Sequence, residues 1–177
     1  MKNLAYRVVV LASLLLVGNV LPLRVQAQQD DPTPRESATV FQQANQVVIY
    51  TKDSLSVARR NIAAALQANG FVVDTVLATL VQTQITALPR TFGAARPAHS
   101  EASAYLRIRG AETCIILEGF CLADADFIPH RVVKMKDSVY QGAQHGCQKA
   151  AFRQLEAVAH AYPGGRLSYR AGISRND

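Results

Sequence analysis

Cysteine is scarce in this chain of 177 residues: Cys114, Cys121 and Cys147 are all there is. They form no C-x-x-C pair, and no H-x-x-x-H accompanies them, so the usual zinc-ligand spacings are missing. The odd count leaves at least one thiol unpaired in a monomer. Catalytic signatures are missing as well. There is no G-x-S-x-G to seat a serine nucleophile. There is neither a G-x-x-x-x-G-K-[ST] loop nor a G-x-G-x-x-G turn to cradle a nucleotide phosphate. No internal repeat and no uninterrupted apolar run of about 20 residues, the length a spanning helix needs, is found.

Net charge is modest once the N-terminus is considered. The full chain carries 19 Lys+Arg against 13 Asp+Glu, a formal +6. Lys2 and Arg7 precede or enter an apolar run, Val8 to Val17, that breaks at Gly18-Asn19. Val25-Gln26-Ala27 then offers small residues where a signal peptidase reads, which predicts a cleaved signal peptide over residues 1–27. No cysteine follows that point to take a lipid. Removing Lys2, Arg7 and Arg24 leaves 16 basic against 13 acidic residues, or +3. That excess is too thin for dense phosphate neutralisation, so nucleic acid is not an implied partner. The predicted product is periplasmic or secreted, with no integral membrane segment after cleavage, in a compartment where thiols oxidise.

Residues 28–39 (QQDDPTPRESAT) are polar and hold two prolines. They cannot bury enough surface to offset ordering and read as a flexible leader. A single α+β domain is predicted over 40–177. Val47 to Tyr50 is a β-branched and aromatic run, a strand. Asp53 or Ser54 can cap a helix whose stripe is Leu55, Ala58, Ile62, Ala65, Leu66 and Asn69. Gly70 stands where a left-handed residue ends a helix, with Phe71 as the apolar contact beyond it. Phe71 to Val76 reads as a second strand. Thr79 to Leu88 alternates, with Val81, Thr83, Ile85 and Ala87 inward and Gln82, Gln84 and Thr86 outward. A Pro- and Gly-marked loop covers Pro89 to Ser100. Ala102 to Arg109 puts Ala104, Leu106 and Ile108 inward and Tyr105, Arg107 and Arg109 outward. Gly110-Ala111-Glu112 turns the chain into a strongly apolar strand, Thr113 to Phe120, which predicts a hairpin. A last helix, capped near Asp137 or Ser138 or starting later because of Gly142 and Gly146, carries Ala143, Cys147, Ala150, Ala151, Leu155, Val158 and Tyr162. Leu167 to Tyr169 is either an edge strand or a tail.

The predicted order is β-α-β-β-β-β-α: an antiparallel sheet of four to five strands with both helices on one face and the polar face open. Over Val47 to Tyr162 this order resembles the TATA-binding-protein-like fold, which several exported, uncharacterised bacterial envelope domains also use. The likeness is one of pattern, without a shared motif, and implies a fold rather than an activity.

Three groups of residues could carry chemistry. The open face offers Gln82, Gln84 and Thr86 beside Tyr105, Arg107 and Arg109; arginine forks suit carboxylate or phosphate, and the competing reading is a solvated face whose arginines pair with acids such as Glu118. Arg131, Lys134 and Lys136 form a second basic cluster that could touch an anionic membrane or polymer, although a solvated loop explains it. Around the third group, Cys121, Asp124, Asp126, His130, His145 and Cys147 are ligand types that zinc accepts, at no recognised spacing. A disulfide between Cys147 and Cys121, with Cys114 as the other candidate partner, is the alternative use of the same thiols. Cys114 and Cys121 differ by an odd number of positions along one strand, so they would face opposite sides. Together these features point to a non-catalytic exported domain that binds a protein or a small anionic ligand, through the open sheet face or the Pro89–Ser100 loop, and needs no cofactor. The alternative is a thiol- or metal-dependent protein built on the Cys121–Cys147 region.

Overall fold

The computed structural model of this chain describes residues 35–94, 97–123, 136–139 and 146–172. They belong to one compact unit, Pro34–Asp177. The elements are β1 (Glu36–Ser37), β2 (Gln46–Thr51), α1 (Leu55–Ala68), β3 (Val73–Val76), β4 (Leu80–Thr83) and β5 (Thr86–Ala87). After a 3-10 turn at Arg90–Phe92 come β6 (Ala98–Arg109), β7 (Glu112–Ala123), β8 (Lys136–Asp137), α2 (Gly146–Ala161) and β9 (Arg166–Arg170). The predicted signal peptide lies outside the described residues. No helix among the described residues is long and apolar enough to cross a membrane.

The α1 boundaries follow from local chemistry. The Ser54 hydroxyl accepts the Val57 N–H, and Ala58, Ile62, Ala65 and Leu66 are buried. At the other end Gly70 has φ +86°, a value that only glycine adopts without strain. Phe71 N–H then reaches Leu66 O and Gly70 N–H reaches Gln67 O, both at 3.1 Å, which is a Schellman closure. The β6–β7 hairpin turns on Gly110, φ +63°, at the position where a type II′ turn requires a positive φ.

The fold is mixed α+β with an antiparallel sheet, but the sheet has nine strands rather than four to five, in the order β1-β9-β2-β7-β6-β4-β3, with β5 on β6 and β8 on β7. Three of the additions are two-residue strands, too short to leave a periodicity in sequence. The predicted strand Thr79 to Leu88 is broken: β4 ends at Thr83 and β5 starts at Thr86, so Ile85 is exposed rather than inward. Ile108, also predicted inward, lies at the end of β6 and is 67% exposed. The predicted loop Pro89 to Ser100 contains the first three residues of β6. Asp137 and Ser138 do not cap α2. Asp137 is in β8 opposite Phe120, and Ser138 N–H donates to Gly119 O.

Two further differences matter for the site. Glu36–Ser37, within the polar stretch read as a flexible leader, pairs antiparallel with Arg170 and Tyr169. The C-terminal strand is not at an edge: β9 lies between β1 and β2.

One face of the sheet packs against both helices. Ile62 and Leu66 of α1 and Phe152, Leu155 and Val158 of α2 meet Val47, Ile49, Leu106, Ile115 and Leu117 in a single core. Full burial of each such side chain contributes about 1.5–3 kcal/mol. The opposite face is not simply polar, as alternation had predicted. Val48, Tyr50, Cys114 and Ile116 are buried there, with Tyr105 packed against them.

Candidate functional site

The antiparallel registers set the layout of the back face. Arg166, Tyr50, Cys114 and Arg107 stand in one row across β9, β2, β7 and β6. The next row is Ser168, Val48, Ile116 and Tyr105, and the one after it Arg170, Gln46, Glu118 and Ser103. With strands about 4.8 Å apart, the backbones of Arg166 and Arg107 are about 14 Å from each other.

Tyr50 is the centre of this arrangement. Its hydroxyl donates to Glu36 Oε1 at 2.6 Å and accepts from Arg109 Nη1 at 2.9 Å. The Arg166 guanidinium stacks over the Tyr50 ring at 4.4 Å and that of Arg109 lies 6.0 Å from its centroid. Such cation–π contacts favour the guanidinium even near solvent. Arg170 Nη2 meets Glu36 Oε2 at 3.0 Å, with Arg109 at 3.9 Å from the same oxygen. Arg166 also approaches Glu112 at 3.8 Å. Arg170 is buried, and its Nε has no hydrogen-bond acceptor among the described residues.

The protonation states follow from this geometry. Burial alone would raise the Glu36 carboxyl. Hydrogen bonds from Tyr50, Arg170 and Ser168 and the charge of Arg170 outweigh it and hold the group below its ordinary value. Burial and the bond to Glu36 push the Tyr50 phenol up, against the opposing pull of Arg109. Glu36 is therefore an anion held by donors, and Tyr50 is a neutral donor to it.

The residues singled out in sequence divide into two groups. Gln82, Tyr105, Arg107 and Arg109 do share the back face. Gln82, however, is committed to Glu101 at 2.7 Å, and Gln84 lies past the end of β4 and donates to Asp74 at 3.1 Å. Arg107 is exposed, opposite buried Cys114, and no ion pair to it is found among the described residues. Glu118 serves Gln46, at 2.5 Å, rather than an arginine. Sequence reasoning missed Glu36, Tyr50, Arg166 and Arg170. The alternation Arg166-x-Ser168-x-Arg170 was the available signal for the two arginines. Nothing local marked Glu36.

This chain matches no protein-family model and no curated protein.

The thiols are arranged by strand parity. Cys121 on β7 faces the helices and Cys147 on α2 faces the sheet; they sit at disulfide distance with Cα atoms 6.1 Å apart. Cys114, the other candidate partner, is seven residues from Cys121 on the same strand, hence on the opposite face, where it is buried and free. A bond between Cys121 and Cys147 would leave neither thiolate for a metal. Asp124, Asp126, His130, His145, Arg131 and Lys134 lie outside the described residues, as does the Lys136 side chain. Among the described residues no three of His, Cys, Asp and Glu are grouped to hold a metal ion. A hollow between the start of β2 and β8, lined by Asn45, Gln46, Glu118 and Asp137, has room for roughly one water molecule, far below ligand size.

Proposed function

We propose that this chain is an exported, non-catalytic binding domain that captures an anionic group, a carboxylate or a phosphate, on the back face of its sheet. The observation that carries the reading is the gathering of guanidiniums at one aromatic residue. Arg109 and Arg166 converge on Tyr50 while both remain more than 60% exposed, and Arg107, in the same row, is exposed and has no ion pair among the described residues. Planar forks held beside an aromatic ring are pre-organised for bidentate acceptors. Glu36 supports this reading, since a carboxylate of the chain itself takes donors from Tyr50 and Arg170 there.

Action in the periplasm or outside the cell is supported by the N-terminal pattern of Lys2, Val8 to Val17 and Val25-Gln26-Ala27, together with the Cys121–Cys147 pair. Mass spectrometry of the exported product should find a chain that starts at Gln28.

Calorimetric titration with citrate and with inorganic phosphate tests the binding reading. The wild type should bind at least one of them, and Arg107→Ala/Arg109→Ala should weaken it by about tenfold or more with little change in melting temperature. Unchanged affinity in that variant would remove this face from consideration.

A further inference from the structure

The sheet has an edge that its own chain covers only in part. β1 pairs with β9 through Glu36–Arg170 and Ser37–Tyr169 and ends there. Past Tyr169, the outer edge of β9 has no strand beside it among the described residues. Backbone groups alternate along a strand. Arg170 O accepts from Asn45 on the β2 side, and Ala171 N–H donates to Arg35 O on the β1 side. The same alternation turns the N–H and C=O of Tyr169 and Leu167 outward. Tyr169 meets β1; Leu167 meets no strand on that side.

We infer that this edge accepts an extended acidic peptide, added antiparallel to β9 in place of β1. One carboxylate takes the seat of Glu36 and a second, four residues later, lies at Arg166. The register dictates the spacing. A strand that begins opposite Arg170, as Glu36 does, places its third residue opposite Ser168 and its fifth opposite Arg166. All three point to the back face, because side chains alternate with period two. The first position finds the Tyr50 hydroxyl, Arg170 and Arg109, as Glu36 does. The fifth finds Arg166, whose one acidic neighbour among the described residues, Glu112, is 3.8 Å away and part-exposed. The third sits beside Ser168 and the apolar row of Val48 and Ile116, where an uncharged residue fits. Main-chain bonds supply affinity in strand addition and alternate side chains supply selection. A two-residue strand offers few such bonds, so a longer competitor can replace it. Glu36 is then the internal occupant that the partner must displace. This inference rests on the anion-binding reading above.

The test uses the full chain and the peptide acetyl-Thr-Glu-Thr-Val-Thr-Glu-Thr, labelled at its C-terminus, followed by fluorescence anisotropy. The wild type should bind it, and the version with both Glu replaced by Gln should bind at least tenfold more weakly. Glu36→Ala removes the competitor and should tighten binding by about tenfold. Ser37→Pro unseats β1 without changing charge and should tighten it too, which guards against a folding defect in either variant. Arg166→Ala should weaken binding by about threefold to fivefold, and only when the second Glu is present. Equal binding of the Gln peptide, or no gain in both Glu36→Ala and Ser37→Pro, would overturn the edge site. Citrate binding without peptide binding would discard the edge and keep the face; binding of neither would discard both.

Discussion

Two tyrosines in this molecule donate to a carboxylate at the same distance, 2.6 Å, and their surroundings differ in nearly every other respect. Tyr162, at the end of α2, bonds Asp53 Oδ2, which also accepts from Asn61 Nδ2 at 3.2 Å. The Asp53 carbonyl takes the Thr113 hydroxyl at 2.7 Å. That junction ties the start of α1, the end of α2 and β7 together on the helix side, and it draws on neutral donors. Tyr50 bonds Glu36 on the other face, and there, beside the Ser168 hydroxyl, the partners are guanidiniums, two of them mostly exposed. The first pair is closed by hydrogen bonds from uncharged groups. The second is surrounded by charge in excess of what one carboxylate takes up. A buried polar cluster that is fully satisfied stabilises; one with a donor to spare, such as Arg170 Nε, is suited to recognition.

The largest expected effect lies on the helix side. Cys121 and Cys147 close a loop of 26 residues, so their joint replacement by serine should cost about 3.5 kcal/mol on the chain-entropy account. Chemical denaturation should show that loss, and Cys114→Ser should not, since Cys114 is free. Equal losses in both would contradict the division of the thiols between faces.

Tyr162→Phe comes next, at about 1–2 kcal/mol for the lost bond to a charged acceptor. Its pH signature is distinctive. Burial, with the bond to Asp53, raises the Tyr162 phenol to about 12. A group whose folded value is raised contributes stability that is present below the unfolded value near 10 and lost as pH climbs from there to about 12. Melting followed between pH 9 and 12 should therefore fall more steeply in the wild type than in Tyr162→Phe. Parallel profiles would mean that Tyr162 is not held in this way.

Glu36→Gln should cost less, about 1 kcal/mol at neutral pH, because the carboxylate is part-exposed. Here the sign reverses. The folded value lies below the ordinary 4.5, so the stabilisation is present above that pH and fades as pH falls below it. The wild type should lose stability on acidification to a degree that Glu36→Gln does not. The smallest effect on stability belongs to Arg107→Ala, within about 0.5 kcal/mol, since the side chain is exposed and makes no ion pair among the described residues. If it proves to be among the more costly substitutions, Arg107 has a structural duty and the binding face must be redrawn.

Local chemistry was legible in the sequence where a single segment carried all the information. The α1 stripe, its Ser54 cap and its Gly70–Phe71 closure are local, and so is the β6–β7 hairpin around Gly110. The outward positions of Tyr105, Arg107 and Arg109 follow from period two alone. The two-residue strands are different. β1 exists because β9 offers it an edge, and nothing in Glu36–Ser37 marks a strand without that neighbour. The break between β4 and β5 was hidden for the same reason: alternation continued through Gln84 and Ile85, although the backbone there leaves the ladder.

By itself, then, the sequence determined parity and helical phase: which side chains of β6 and β7 share a face, which stripe of each helix is apolar, and that Cys114 and Cys121 point apart. Those properties are set by backbone geometry within a few residues. Only the tertiary structure decided which strands are neighbours. Strand order brought Glu36, from the start of the described chain, and Arg170, from its end, to opposite sides of one bond, 134 residues apart. Pairing over such a distance depends on the closure of long loops and the burial of a shared core, and no local pattern of residues encodes it.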